Sequence, residues 1–337
     1  MTTRELRTES AESAGSLDPA LLFAPHGEPG RFFCPWQPFR SRPLDLLRWK
    51  LRGRAPYDRK TPPRVPRVEN DGAYLSRDRG EPPSATWVGH STFAVQDEGD
   101  VFLTDPVWGA RALLPRRKTP PGIPLSAIPP SAFVVLSHNH YDHLDAWTVA
   151  RLPRAMPWFA PLGLGKWLRK HDRDRVVELD WWQSARHGRW TLTCLPAQHW
   201  SNRLNEKRNA TLWCSWMLDN GVRKYYFGGD SGYFHGFAEI GRRCGAIDVA
   251  FLPIGAYEPR WFMRPQHMNP PEAVRAFRDL GARAMLPMHW GTFDLTDEPV
   301  DLPPHVLQQA LADEDREDRG ERQRIHTLAV GERWLVR

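Results

Sequence analysis

Short apolar runs alternate with helix-like segments from Ala85 to the end of the chain, and this alternation constrains the fold more than any other feature. The strand candidates are residues 87–88, 93–95, 101–103, 133–136, 190–195, 211–218, 224–227, 249–252, 284–286 and 334–336. The helix-like segments are residues 146–152, 162–170, 237–243 and 270–280. Asn269 is a suitable N-cap for the last of these segments. Strands interleaved with helices predict an α/β protein.

The part of the chain before Ala85 is less regular. Residues 1–30 mix charged and small side chains and predict a flexible N-terminal arm. Leucines recur at helical spacing among basic residues in the segment 44–54. We favour a short surface helix that docks on the core through these leucines, and the alternative is contact with a membrane interface. Residues 55–84 predict a long surface connection, and the charged run 313–324 predicts a solvated face.

Composition excludes several classes of protein. The sequence has no stretch of roughly 18 consecutive apolar residues, as a membrane span would need, and we identify no secretory signal. The four cysteines lie far apart without C-x-x-C spacing, so we expect reduced, buried thiols and a cytoplasmic protein. A formal charge of +6 is mild for 337 residues and does not by itself indicate an anionic partner.

The strongest functional signal is the segment His138-Asn139-His140-Tyr141-Asp142-His143, directly after a strand candidate. His138 and His140 are two residues apart, so an extended backbone projects both imidazoles to one side, where they can bind one ion. Asp142 and His143 follow as the chain bends and can face a second ion. A lone histidine is more often structural, but this cluster at the end of a strand predicts a metal site. Zinc suits imidazole and carboxylate ligands when cysteine is absent.

Three further ligand candidates, His199, Asp230 and His289, each follow a strand candidate. Together with the 138–143 segment they complete two ion sites, and Asp230 is the natural bridge because a carboxylate has two oxygens. Two ions roughly 3.5–4 Å apart share a water, lower its pKa to near neutral and clamp the attacking and leaving oxygens. The sequence therefore predicts a hydrolase in which a bridging hydroxide is the nucleophile.

This pattern resembles the metallo-β-lactamase superfamily, and longer strings resemble N-acylphosphatidylethanolamine-hydrolysing phospholipase D and its bacterial relatives. The matching strings are residues 136–145, 161–164, 178–182, 198–200, 229–233, 253–263 and 289–293. The resemblance extends from about Arg31 to about Leu311. The string 255–263 is more specific than the ligand pattern, which occurs across many activities.

The resemblance implies a fold and a metal centre. It implies a four-layer αββα sandwich, a single hydrolase domain over residues 31–337, with two Zn²⁺ ions between its sheets. The ligands that it implies for one zinc are His138, His140 and His199. The ligands that it implies for the other are Asp142, His143 and His289, with Asp230 as the bridge. Iron or manganese in place of zinc stays open, because such ligands accept several metals.

The resemblance also implies a reaction, the hydrolysis of a phosphodiester in a lipid to phosphatidic acid and an N-acylethanolamine. Asp142 and His267 are the catalytic candidates. His267 matches a family histidine that lies close to the reaction centre without being a zinc ligand, and we assign it to the phosphate or to the leaving group. The alternative for His267 is a histidine at a helix start that bonds to backbone.

Some positions depart from the family pattern. Ser231 replaces the usual threonine, and Ala197 stands where a serine is common, but neither change removes a ligand. The segment 106–130, with the basic cluster Arg116-Arg117-Lys118, is richer in proline and arginine than the family leads us to expect. Loops of this kind shape the substrate entrance, so acyl and headgroup preference do not follow from the resemblance.

The expected partner is a phospholipid or another small phosphodiester. Peripheral contact with the inner face of a membrane, through the 44–54 segment and the Arg116–Lys118 cluster, is one expectation. A homodimer stays open. We expect no nucleic acid partner, because the chain has no dense basic patch with interleaved aromatic residues.

Two other functions stay open at this point. The first is a soluble hydrolase with the same metal centre that acts on a lactone or a small phosphodiester, because fold and metal do not determine the substrate. The second is a binding protein without catalysis, which the complete set of ligand candidates disfavours.

Overall fold

The computed structural model describes residues 18–37, 43–51, 57, 63–76, 80–314 and 324–337. The strands in these residues are β1 Gly27–Glu28, β2 Arg31–Phe32, β3 Ser84–Gly89, β4 Thr92–Asp97, β5 Asp100–Thr104, β6 Phe133–Val135, β7 Trp158–Pro161, β8 Val176–Leu179, β9 Ser184–His187, β10 Trp190–Leu195, β11 Ser215–Asp219, β12 Lys224–Phe227, β13 Ile247–Pro253, β14 Ala282–Met288 and β15 Arg333–Leu335. The α-helices are α1 Pro43–Leu51, α2 Ala146–Val149, α3 Gly165–Lys170, α4 Gly236–Cys244, α5 Arg260–Met263, α6 Pro270–Leu280 and α7 Pro303–Glu314. Short 3-10 helices cover Pro19–Phe23, Ala73–Ser76 and Leu125–Ala127.

Most of the strands belong to two mixed sheets. The first sheet has the order β15-β3-β4-β5-β6-β7-β8, and the second has the order β14-β13-β12-β11-β10-β9. Strands β5 to β8 run parallel, as do β12 to β14. The other neighbours in both sheets are antiparallel.

Large aromatic side chains fill the space between the two sheets. The ring centroid of Phe93 in β4 lies 4.6 Å from that of Phe251 in β13. Phe102 in β5 contacts Trp190 in β10 and Tyr225 in β12. Burial of such rings contributes both apolar area and specific ring geometry, so this layer stabilises the face-to-face packing of the sheets.

Helices cover the outer faces of both sheets. Val149 of α2 and Leu168 of α3 belong to an apolar cluster with Val134 and Trp158 of the first sheet. On the other side α6 packs against β13 and β14 and also contacts α4 and α7. The layers are helix, sheet, sheet and helix, and this confirms the predicted α/β class and the four-layer αββα sandwich.

Helix α6 begins and ends as its sequence predicts. The side chain of Asn269 accepts a hydrogen bond from the backbone N–H of Glu272, and the Glu272 carboxylate accepts one from the backbone N–H of Asn269. This reciprocal pair is a capping box. Gly281 ends the helix with a φ of 62°, a left-handed conformation that favours glycine.

The predicted elements miss strands β1, β2, β7, β8 and β9 and helices α5 and α7. Strand β7 is short and is bounded by Pro157 and Pro161, which hides it among loop signals. Strands β8 and β9 are short and partly exposed, because β9 lies at an edge of its sheet and β8 at an edge of the other. Helix α7 begins ten residues before the charged run 313–324. Residues 315–323 of that run lie outside the described part of the chain.

Residues 18–30 pack against the body of the protein, although the sequence predicts a flexible arm over residues 1–30. Leu22 is buried, and its backbone oxygen accepts a hydrogen bond of 2.9 Å from Trp182 Nε1. His26 Nε2 lies 2.7 Å from a carboxylate oxygen of Asp180. The arm remains a prediction for residues 1–17, which lie outside the described part of the chain.

The 44–54 segment forms helix α1, but the helix does not dock through its leucines. Leu44, Leu47 and Leu51 are 70%, 51% and 75% exposed, so the favoured interpretation of this segment is wrong. Trp49 holds the helix instead. Its Nε1 donates to Asp297 at 3.1 Å, and its ring lies 5.4 Å from the ring of Phe262. The indole of Trp49, which is amphipathic and has a hydrogen-bond partner, therefore docks the helix, and the leucines stay in solvent.

The basic cluster 116–118 divides between surface and interior. Arg116 and Lys118 are exposed, whereas the guanidinium of Arg117 donates to the backbone oxygens of Val107 and Gly109 at 2.5 and 3.1 Å. The expectation that Arg117 contacts a membrane is therefore wrong, because burial and carbonyl acceptors hold its charge inside the protein.

No helix in the described part of the chain has the length and apolar character needed to cross a membrane. All four cysteines are free thiols, and Cys34, Cys194 and Cys214 are buried. The prediction of buried thiols holds for these three, whereas Cys244 is only partly buried.

Candidate metal centre

The predicted ligand residues meet at one end of the sandwich, where loops leave the carboxyl ends of strands. The 138–143 segment follows β6, and Asp230 and His289 follow β12 and β14. His199 follows β10. Carboxyl ends of parallel strands are the usual place for a binding site in an α/β protein, so the fold explains why distant residues converge here.

Four of these residues form a first group, His138, His140, His199 and Asp230. His140 Nδ1 lies 2.8 Å from His138 Nε2 and 3.2 Å from His199 Nε2. Asp230 Oδ2 lies 3.8 Å from Nε2 of both His138 and His199. Three imidazole nitrogens and a carboxylate thus point to one small space.

A second group shares Asp230 with the first. Asp230 Oδ2 lies 3.1 Å from Nε2 of both His143 and His289. The same two nitrogens lie 3.5 and 3.4 Å from Asp142 Oδ2. The structure therefore brings together all seven residues that the sequence predicts as ligands, and Asp230 lies within 3.8 Å of histidines from both groups.

Buried partners orient the imidazoles from behind. His143 Nδ1 lies 2.6 Å from Asp105 Oδ2, and the hydroxyl of Ser137 donates to the same oxygen at 2.5 Å. His199 Nδ1 donates to the backbone oxygen of Gln266 at 2.9 Å. These bonds turn Nε2 of His143 and His199 toward the shared space, as the outer partners of metal-binding histidines do.

Burial keeps three of the histidines neutral. It lowers the pKa of His138 well below the usual value, that of His140 to about 4 and that of His199 to about 3. A neutral imidazole has a free lone pair on one nitrogen, and metal binding requires this form.

The carboxylates at the centre are ionised. Burial alone would raise the pKa of Asp142 and Asp230, but the neighbouring histidines, His143 foremost and His289 with it, together outweigh burial and hold both pKa values well below the usual range. Burial alone would lower the pKa of His289, but the Asp230 charge and hydrogen bonds to Asp230 and Asp142 together raise it to about 9. Two ionised carboxylates in a buried site require positive charge, which protonated His143 and His289 supply here and which a metal ion would supply in place of their protons.

Several buried polar atoms fit a cation. Nε2 of His143, Nε2 of His289 and Oδ1 of Asp230 are buried and find no hydrogen-bond partner among the described residues. Such atoms are costly to bury unless a ligand satisfies them. Imidazole nitrogens and carboxylate oxygens are the donor set of zinc and related divalent metals, so the residues fit a metal ion.

His267 lies at the edge of this centre. Its Nδ1 is 3.9 Å from Asp230 Oδ2, and burial lowers the pKa of His267 well below the usual value, so the ring is neutral. The backbone N–H of His267 donates to the oxygen of Met263, and its backbone oxygen accepts from Arg260. The side chain faces the centre, whereas the backbone makes the structural bonds.

Sequence reasoning missed two residues of the centre, Asp105 and His90. Asp105 directly follows β5 and supports His143 from behind. His90 lies in the turn between β3 and β4, with its Nε2 2.9 Å from Asp142 Oδ2 and its ring 4.0 Å from the ring of His289. The position of Asp105 directly after a strand candidate was a usable signal, while nothing near His90 in the sequence marks it.

A cavity of about 610 Å³ opens above the centre. Its floor includes His140, Asp142, Asp230 and His267. Most of its other lining is apolar, and the apolar residues are Leu46, Trp49, Ala112, Leu113, Leu114, Pro115, Trp200, Ala256, Phe262, Met263 and Leu295. Polar atoms thus converge on one end of an apolar cleft, the usual form of a small-molecule site.

The fold and the site agree with the family comparison. Residues 101–290 match the beta-lactamase superfamily domain. A metallo hydrolase from Ignicoccus hospitalis, Igni18, superposes with a TM-score of 0.56 at 21% identity, covering 75% of this chain and 98% of that one. The chain belongs to the metallo-β-lactamase superfamily and is a metal-dependent hydrolase.

Within the superfamily, the chain is similar to proteins named for one lipid hydrolysis. The "N-acyl-phosphatidylethanolamine-hydrolyzing phospholipase D 1" of Caenorhabditis elegans is 41% identical over 268 residues, 74% of this chain and 75% of that protein. The mitochondrial protein of the same type from Saccharomyces cerevisiae is 34% identical over 246 residues, 68% of this chain and 51% of that protein. These relatives agree with the resemblance that the sequence strings carry.

Proposed function

We propose that this protein is a zinc-dependent phosphodiesterase of the phospholipase D type. It hydrolyses N-acylphosphatidylethanolamine-like phospholipids to phosphatidic acid and an N-acylethanolamine. The observation that carries the proposal is the position of the ligand-type residues at the floor of a cavity with apolar walls. The names and identities of the relatives support the same reaction.

In this proposal two Zn²⁺ ions bind per chain. His138, His140 and His199 hold one ion, and Asp142, His143 and His289 hold the other, with Asp230 between them. Zinc in such a site supplies Lewis acidity and lowers the pKa of a water to near neutral. Asp230 Oδ2 lies 3.1 Å from Nε2 of His143 and His289 and 3.8 Å from Nε2 of His138 and His199, and these distances to both groups support its shared position.

The chain's own groups orient the substrate in this proposal. His267 lines the cavity as a neutral imidazole, so one ring nitrogen can donate a hydrogen bond to a phosphoryl oxygen or to the leaving oxygen. Asp142 is the second catalytic candidate because its carboxylate lines the cavity and also reaches His143 and His289. His90 Nε2 lies 2.9 Å from the same carboxylate oxygen.

The cavity suits the part of a phospholipid nearest its phosphate. Its volume of about 610 Å³ lies in the range of sites for small molecules, ~300–1,000 Å³. A phospholipid with long acyl chains is larger, so its chains extend through the opening. Leu46, Leu113 and Leu114 line the cavity and are also exposed, which gives the opening an apolar rim.

We propose that this rim contacts a membrane surface. Leu46 belongs to α1, whose other exposed leucines extend the apolar surface beyond the cavity. Exposed Arg48 lies over the ring of Trp261 at 5.0 Å, and Arg116 and Lys118 are exposed near Leu114 in the sequence. Basic side chains beside apolar ones suit an anionic membrane interface, at about 1 kcal/mol for each basic residue near the surface.

The test of the reaction is a product assay by mass spectrometry on a phospholipid panel with lactones as controls. We expect phosphatidic acid and N-acylethanolamine from N-acylphosphatidylethanolamine and no turnover of lactones. An enzyme that opens lactones and leaves every phospholipid intact would be the soluble hydrolase and would refute the proposal.

The proposed function also has a domain organisation and a cellular location. We propose one hydrolase domain over residues 31–337 and a cytoplasmic protein that associates peripherally with the inner face of a membrane. Fractionation of cells with and without a carbonate wash tests the location, because a peripheral protein leaves the membrane fraction on washing. Light scattering of the purified protein measures whether it forms a homodimer.

A further inference from the structure

Gln198 connects three loops of the metal centre. Its Nε2 donates to the backbone oxygen of Pro265 at 3.0 Å. Its backbone N–H donates to Ser231 Oγ at 3.0 Å, and its backbone oxygen accepts from the N–H of Gly232 at 2.9 Å. Every bonded position is close in sequence to a residue of the centre. Gln198 precedes His199, Ser231 and Gly232 follow Asp230, and Pro265 lies two positions before His267.

Trp36 forms a hydrogen bond with the other polar atom of the Gln198 side chain, Oε1. Its Nε1 donates to Gln198 Oε1 at 3.1 Å. The indole is buried and packs against the rings of Phe234 and Trp181 at 5.2 and 5.4 Å. Trp36 therefore connects the N-terminal part of the chain, which precedes the matched residues 101–290, with the loop of His199.

Gly232 makes the close approach of these loops possible. A Cβ atom at this position would lie 2.7 Å from the backbone oxygen of Pro265 and 2.8 Å from Gln198 Nε2. Both distances are shorter than any ordinary van der Waals contact. The 198, 232 and 265 positions are thus packed backbone to backbone, with Gln198 as the side chain that bonds across them.

We propose that Gln198 is a positioning residue of the metal centre, held in place by Trp36. By fixing the backbone at Pro265, it also fixes the oxygen of Gln266 that orients His199 at 2.9 Å. By fixing Ser231 and Gly232, it sets the position of Asp230. The inference rests on the proposed roles of His199 and Asp230 as zinc ligands.

The test compares zinc affinity, measured by competition with a chelator, between Gln198→Met and Gln96→Met. Both glutamines are buried and bond to backbone, but Gln96 in β4 bonds to Tyr74, away from the centre. Loss of outer partners typically weakens metal binding about 10- to 100-fold. We expect such a loss for Gln198→Met and unchanged affinity for Gln96→Met. Equal losses in both variants would overturn the proposal, because general destabilisation would then explain them.

A milder pair of variants keeps the test decisive if Gln198→Met does not fold. Trp36→Phe keeps an aromatic ring but removes the donor to Gln198, and Trp182→Phe makes the same change in ring size while removing a donor to Leu22. We expect weaker zinc binding for Trp36→Phe alone, and unchanged binding in both would overturn the proposal.

The variant His199→Ala distinguishes a failure of the ligand assignment from a failure of the positioning role. If it binds zinc as tightly as wild type, the ligand assignment fails; if it loses zinc while Gln198→Met does not, only the positioning role fails.

Discussion

At the scale of single residues, Arg260 shows how the specific 255–263 string serves the site. Its Nη1 donates to the backbone oxygen of His267 at 3.0 Å, and its Nη2 donates to Glu272 at 2.7 Å. Glu272 in turn completes the capping box of α6 with Asn269. One guanidinium therefore joins the start of α5, the backbone of His267 and the start of α6, which fixes His267 at the edge of the centre.

His267 is expected to act on the substrate and not on the metal. We predict that His267→Ala lowers turnover at least 100-fold, the size of contribution typical for a positioned acid, base or donor. Zinc content, measured by atomic emission, stays at the wild-type level. The exposed His305 provides the control, since His305→Ala should leave both quantities unchanged. Loss of zinc in His267→Ala would make His267 a ligand instead.

His138 and Asp142 belong to different groups of the centre, so their variants test both groups. We predict that His138→Ala and Asp142→Ala each abolish hydrolysis of every substrate and reduce the zinc content. The fold stays largely intact, as circular dichroism will show, because neither side chain belongs to the aromatic core between the sheets. Turnover at the wild-type rate in either variant would refute the metal mechanism.

The ligand-type residues could be predicted from the sequence because each follows a strand candidate or lies in one dense segment. The outer partners could not. Asp105 and His90 act through His143 and Asp142, which lie 38 and 52 positions away in the sequence. Contacts at that separation depend on how strands order themselves in the sheet, and local patterns do not contain this information.

At the scale of elements, α1 is the helix whose interpretation from the sequence differs most from the structure. Helical spacing of its leucines correctly predicts a helix, but periodicity does not distinguish an apolar face on the core from one in solvent. Its leucines are exposed and α1 lines the cavity through Leu46 and Trp49. An exposed apolar face beside a site opening is typical of an interaction surface.

We predict that the triple change Leu44→Ser, Leu47→Ser and Leu51→Ser weakens binding to anionic vesicles, measured by co-sedimentation. Each leucine that enters a membrane contributes roughly 1.5–3 kcal/mol, so the loss should exceed 10-fold. Turnover of a short-chain, water-soluble phosphodiester should not change. Val222 is also exposed but lies in the turn between β11 and β12, and Val222→Ser is the control. Equal vesicle binding by the triple variant and wild type would contradict the membrane surface.

Central strands were predicted better than edge strands, for a physical reason. Strands β3, β4 and β13 are buried on both faces or nearly so and therefore read as apolar runs. Strands β8 and β9 expose alternate residues at sheet edges and contain polar side chains. Their pairing depends on the neighbouring strand and not on their own composition, so a local pattern does not show them.

At the scale of the whole molecule, the metal centre joins the two halves of the sandwich. Asp105 and the 138–143 segment follow strands of the first sheet, whereas His199, Asp230 and His289 follow strands of the second. A bound ion therefore connects loops from both sheets. Any ligand that binds only the folded state stabilises it by mass action.

Removal of metal should consequently destabilise the fold. We predict that dialysis against a chelator lowers the midpoint of thermal unfolding and that added zinc restores it. The stabilisation expected at a free zinc concentration 100 times Kd is ~2.7 kcal/mol for one site. Differential scanning calorimetry of both forms measures it. An identical midpoint in the two forms would show that no ion binds at the centre.

The central claim is hydrolysis of a specific phosphodiester bond, and isotope labelling tests it most directly. The reaction is carried out in ¹⁸O-water with N-acylphosphatidylethanolamine, and both products are analysed by mass spectrometry. Water attacks phosphorus and the N-acylethanolamine oxygen leaves, so one ¹⁸O atom is expected in phosphatidic acid and none in the N-acylethanolamine. Label in the N-acylethanolamine, release of diacylglycerol or of free fatty acid instead, or an intact lipid would contradict the account.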